Sequence, residues 1–106
     1  MSQLHIVYGV PADPELFGEN MLPEQARACA EHLARRMEEA IRAEYPDAEI
    51  TTEVVGPDFA ATRKVAPSRA WYSDHAGRRI ESAEAVIAKL DGILAQNWEA
   101  WLKEAR

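Results

Sequence analysis

The residue types best suited to chemistry are concentrated between positions 57 and 80 (PDFAATRKVAPSRAWYSDHAGRRI). This stretch holds five basic residues, Arg63, Lys64, Arg69, Arg78 and Arg79, against two acids, Asp58 and Asp74, a net of +3. The remaining 7 basic and 16 acidic residues leave the rest of the chain at −9. Phe59, Trp71 and Tyr72 lie among the basic groups. Guanidinium and ammonium groups take phosphates or carboxylates, and an aromatic ring beside them can stack a base. The stretch therefore suits either nucleic acid or an acidic protein surface, the acidic face of a second copy included. Strand alternation divides its aromatics. Within residues 68–73, Trp71 shares a face with Arg69 and Ser73, and Tyr72 with Ala70, so one aromatic at most joins the arginines. A solvated sheet edge whose Arg and Lys deter edge pairing accounts for the same residues without any ligand.

Other candidates are weaker. Cys29 and His32 have a C-x-x-H spacing on a helix, but a zinc site needs about four ligands and no second pair lies nearby. A lone Cys packs more often as a small hydrophobe, and pairing it with His5 or His32 as a base is not supported by spacing alone. Asp74-His75 sits at an expected turn, where acid–base work and local hydrogen bonding compete as explanations. Residues 11–22 form a long acidic loop with Asp13, Glu15, Glu19 and Asn20. It lacks a glycine-rich cradle and a calcium-loop spacing, and its acids complement a helix N-terminus. No catalytic residue, metal ligand or cofactor is assigned.

These groups are positioned by a short series of elements. Residues 4–10 (LHIVYGV) alternate Leu4, Ile6, Tyr8 and Val10 against His5, Val7 and Gly9, the pattern of an internal strand. Pro23 with Glu24 opens a helix that Pro46 stops; Ala26, Ala30, Leu33, Met37 and Ile41 form its apolar stripe. Glu31–Arg35, Arg35–Glu39 and Glu38–Arg42 offer i,i+4 pairs on its outer face. Residues 47–55 read as a second strand parallel to the first. Residues 68–73 read as a third, residues 74–77 as a turn, and residues 78–80 as a short returning strand or the lead into a helix. Ser82 is the expected N-cap of a second long helix, with Ala83, Ile87, Leu90, Leu94, Trp98 and Trp101 as its stripe, widened by Val86, Ile93 and Leu102. Gly92 inside it suggests close packing or a kink. Without a strand at 78–80 the two helices would run antiparallel, carrying Trp98, Trp101 and Leu102 toward Phe17, Met21 and Leu22. A returning strand there would set the opposite direction.

The expected architecture is a single α+β domain over residues 1–106: a two-layer β-α-β-β-(β)-α sandwich, with a small mixed sheet and two long helices on one face. Helices of about 23 residues outreach seven-residue strands, so they overhang the sheet, with Trp98, Trp101 and Leu102 in the overhang. There these three serve either as core or as a homodimer contact.

At 106 residues and a net charge of −6, the chain as a whole does not attract nucleic acid or anionic membrane. One cysteine permits no internal disulfide, and no apolar run reaches membrane-spanning length. The opening MSQLHIVYGV carries neither a charged n-region nor a cleavage site, so no secretory signal is expected, and the single Cys29 makes a cytoplasmic setting the expectation. The functional expectation is a small acidic, non-enzymatic protein-interaction module, of the kind that docks as an accessory or inhibitory factor on a larger, nucleic-acid-handling machine. Its alternative is a nucleic-acid or nucleotide binder acting through Arg63, Lys64, Arg69, Trp71, Arg78 and Arg79. A small enzyme using Asp74 and His75 comes third.

Overall fold

Strand β1 (Gln3–Pro11) sits at the centre of everything that follows. Its even-numbered side chains Ile6, Tyr8 and Val10 are all buried, while His5 and Val7 on the other side are half-exposed. A computed structural model describes residues 2–12, 21–55 and 68–105. Expectations placed on the acidic residues 13–20 and on residues 56–67, Arg63 and Lys64 included, fall outside the described residues.

Helix α1 (Pro23–Glu44) starts with Pro23, whose missing N–H costs nothing in a first turn. Gln25 Oε1 accepts a hydrogen bond from the Leu22 N–H at 3.1 Å, tying the entry to the first turn. Ala26, Ala30, Leu33, Met37 and Ile41 are buried as their spacing requires, joined by Cys29 and Ala34. On the outer face Arg42 pairs with Glu38 as expected, whereas Glu31 pairs back with Arg27. Strand β2 (Glu49–Val55) then lies parallel to β1, His5 opposite Glu49 and Gly9 opposite Glu53. Strand β3 (Arg69–Ser73) runs antiparallel along the other side of β1, and β4 (Arg79–Ser82) antiparallel to β3. The sheet order is β2-β1-β3-β4, with a bulge at Ile80 where Tyr72 and Ser73 face Glu81 and Arg79. Helix α2 (Glu84–Ala105) packs on β3 and on α1, on the same side of the sheet as α1. This is the expected mixed-sheet α+β sandwich. Among the described residues, no helix is long and apolar enough to cross a membrane.

Three local expectations need correction. The returning strand exists, yet the helices run antiparallel. Lys89 near the start of α2 meets Glu44 at the end of α1 (2.9 Å), and Glu104 near the end of α2 meets His32 (3.0 Å) and Arg36 (3.1 Å). Ala83 alone separates β4 from α2, and its N–H still donates to the Ala70 carbonyl at 2.9 Å. With no loop in which to turn back, the chain leaves β4 into a helix travelling onward. For the same reason Ser82 is no N-cap: it ends the strand, and its hydroxyl accepts from the Arg79 guanidinium instead. Gly92 neither packs closely nor faces another element, since a Cβ built there would meet nothing.

The two glycines whose backbone is described outside β1 thus behave oppositely. Gly92→Ala should stabilise the fold by about 1 kcal/mol, the ordinary helix-interior gain, raising Tm by roughly 5 °C. Gly77 has φ +83°, in the turn between β3 and β4, and Gly77→Ala should destabilise by about 1 kcal/mol or more. Thermal and urea melts of the two variants check both signs.

Candidate functional site

The helix side of the sheet is consumed by the core, so the functional candidates are on the opposite face and at the helix edges. Among the described residues, no element packs on that opposite face. Alternation brings His5 and Val7 of β1, Glu49 and Glu53 of β2, and Arg69, Trp71 and Ser73 of β3 to it. Four positions form one line across the sheet: Glu49 opposite His5, His5 opposite Trp71, and Trp71 opposite Ser82. The His5 and Trp71 rings stack, centroids 5.3 Å apart and planes inclined by 11°. The Arg79 guanidinium contacts the Ser82 hydroxyl and so completes the line at the β4 end.

His5 is held from both sides. Its Nδ1 lies 3.1 Å from Glu49 Oε2, and its Nε2 lies 2.5 Å from Ser73 Oγ. With Nδ1 carrying the proton toward Glu49, Nε2 accepts the Ser73 hydroxyl. Hydroxyl, imidazole and carboxylate thereby follow the order of a nucleophile, a base and an orienting acid. Accessibility decides against that chemistry. Ser73 is only 2% exposed and lies within the strand ladder, so no carbonyl reaches its oxygen. The chain of contacts fixes the imidazole under Trp71 instead.

The described basic residues among those singled out in the sequence separate. Arg69 and Arg79 are brought together at one sheet end, lining a hollow of about 320 Å³ with Ser82 and Glu84. Arg78 stays exposed but is paired within the turn, where its Nε donates to Asp74 Oδ2 at 3.0 Å. Asp74 is the organiser of that turn: Oδ1 accepts the N–H groups of Ala76 and Arg78, each at 2.9 Å. The backbone bond from Arg78, first, then those from Ala76 and the Arg78 side chain, hold its carboxyl below the usual range. Both Asp74 oxygens are thus engaged, and the exposed His75 beside it is not among their partners.

On the helix side, Tyr8 reaches across the core and donates to Asp91 Oδ1 of α2 at 2.7 Å. Burial, and then the Asp91 carboxylate, push the phenol well above its ordinary value. A groove of about 630 Å³ opens beside this pair along Leu94, Trp98 and Glu99. Its one buried hydroxyl is already committed to Asp91. Trp101 is buried in the helix–helix seam, with the Arg36 guanidinium 5.6 Å from its ring centre. Trp98 and Leu102 pack against the core with partial exposure. Cys29 is buried in the core, while His32 faces Glu104.

Alternation of β1 was enough to put His5 on the open face; that Glu49 and Ser73 flank it follows only from strand pairing. Glu53 and the Tyr8–Asp91 bond likewise depend on long-range pairing. Comparisons with known protein families, with characterised proteins and with solved structures return no match.

Two expectations follow for stability. Tyr8→Phe removes a hydrogen bond to a carboxylate that is itself open to water, and should cost about 1–2 kcal/mol in a urea melt. Glu104 is held below the usual carboxylate range by the His32 hydrogen bond, first, and then by Arg36. A carboxyl with a lowered folded-state value contributes stability that is full above its unfolded value and lost as pH falls through the folded one. Glu104 and Asp74 share that sign, so Tm should fall as the solution is acidified below about pH 4. Glu104→Gln should shrink the acid loss while lowering Tm at neutral pH.

Proposed function

We propose that this chain is a small protein-interaction module that docks through the sheet face opposite its two described helices, in a reducing, cytoplasmic setting. The observation that carries this reading is the line Glu49–His5–Trp71–Arg79, an aromatic pair flanked by charges of both signs on a face that nothing described covers. Aromatic rings held rigid beside arginine make effective contact centres because little side-chain freedom remains to be lost. Glu49 and Glu53 share this face with Arg69 and Trp71. A phosphate backbone approaching the arginines would therefore meet two carboxylates, which favours a protein surface of mixed charge over nucleic acid. Commitment of both Asp74 oxygens to the turn weighs against Asp74 and His75 as catalysts. The single cysteine, buried in the core, suits a compartment that keeps thiols reduced.

The test is affinity capture from lysate of the source cells, with and without nuclease, using wild type and a Trp71→Ala, Arg69→Glu variant. A protein retained after nuclease and lost with the variant is the expected result. Capture that vanishes with nuclease, together with a gel shift of single- or double-stranded nucleic acid at low salt, would move the reading to nucleic-acid binding.

A further inference from the structure

We infer that the partner on the open sheet face is a second copy of this chain, related by a two-fold axis parallel to the strands. The inference rests on the docking role proposed for that face and gives it an occupant.

The geometry is that of a self-complementary line. Across the sheet at one level stand an acid, an aromatic ring, a second aromatic ring and a base: Glu49 on β2, His5 on β1, Trp71 on β3, and the Arg79 guanidinium at Ser82 on β4. Two copies meeting face to face must have their two-fold axis in the plane between them. An axis parallel to the strands, centred between β1 and β3, exchanges left and right while keeping each residue at its own level. It sets β2 of one copy over β4 of the other and β1 over β3. Glu49 then lies over Arg79, and His5 over Trp71, twice each. Arg69 falls at the level of Val7, between the levels of Glu49 and Glu53. It is displaced from each by one strand spacing sideways and about two residues along, roughly 8 Å in plane, within reach of an arginine side chain from a facing sheet. An in-plane axis perpendicular to the strands instead sets β2 on β2 and carboxylate rows against each other. Charge therefore selects the parallel axis over the perpendicular one.

Glu49 is well exposed at 70% of its side chain, and Arg69 and Arg79 are exposed, so all three are open to a partner. The four strands span about 19 Å, giving a flat face on the order of 400 Å² per copy. That is the size class of weak, exchanging encounters, and its charged pairs are open to screening.

Sedimentation velocity over micromolar to near-millimolar protein, at low and high salt, provides the readout, with circular dichroism confirming that each variant folds. Wild type should show a concentration-dependent dimer that weakens with salt. Glu49→Arg and Arg79→Glu should each weaken it about tenfold or more, since like charges then face each other. Mixing the two single variants should restore a heterodimer, because each altered residue then meets its complement. Wild type that stays monomeric throughout overturns the inference, as does a dimer indifferent to both reversals, which would use another surface such as Trp98 and Leu102. Capture of a different protein, lost with the Trp71 and Arg69 variant, would in the monomeric case leave the docking role standing. Loss of both results removes both readings.

Discussion

The two-residue period of β1 is the constraint on which the rest of the molecule depends. A strand paired on both edges can direct its side chains only up or down. Ile6, Tyr8 and Val10 go down, under two helices; His5, Val7 and Gly9 go up. Placing both helices on one side makes a single deep core out of a short chain, which matters at this length because each small domain has little surface to bury. The cost is a sheet face on which no described element packs, and the residues of the candidate site are arranged by that choice. A register slip of one residue would exchange the two sets and put Tyr8 in solvent. The bond from Tyr8 to Asp91 opposes such a slip, since it joins the middle of β1 to one position on α2.

The helices are held to each other by a different kind of contact. Lys89 on Glu44 fixes one end of the seam, and Glu104 on His32 and Arg36 fixes the other. Arg36 Nε stands 3.1 Å from Glu104 at an angle that makes it an ionic contact rather than a hydrogen bond, and the same guanidinium covers Trp101. Exposed ion pairs of this sort add little stability individually. Their larger effect here is on direction: they suit antiparallel helices and no other arrangement, because a parallel pairing would bring Lys89 beside the start of α1.

Much of this was legible in the sequence, and the exceptions share a cause. The stripe Ala26, Ala30, Leu33, Met37, Ile41, the alternation of β1, and the separation of Trp71 from Tyr72 are all local periodicities, and local periodicity survives into the fold. Register does not lie in any one segment. His5 becomes a held imidazole only because β2 brings Glu49 and β3 brings Ser73 beside it. The direction of α2 and the failure of Ser82 as a cap come from one bond, Ala83 N–H to Ala70 C=O, between residues whose pairing no motif announces. Gly92 misled for the opposite reason: a glycine in a helix suggests a neighbour, and here the neighbour is solvent.

The sequence contrast between a basic stretch and an acidic body changes meaning once the fold is known. Arg78 is neutralised inside its own turn by Asp74, so the turn carries less free charge than its composition suggests. Arg69 and Arg79 remain on the sheet, but pairing to β1 and β2 places two carboxylates on the same surface. A chain of net charge −6 repels its own copies at long range, yet that repulsion is screened beyond about 8–10 Å in ordinary salt. At contact distance only the local pattern counts, and here it runs from acid to base across two aromatic rings. Such a pattern would discriminate among the partners proposed for it by orientation more than by strength, because sliding or inverting the facing surface sets like charges together.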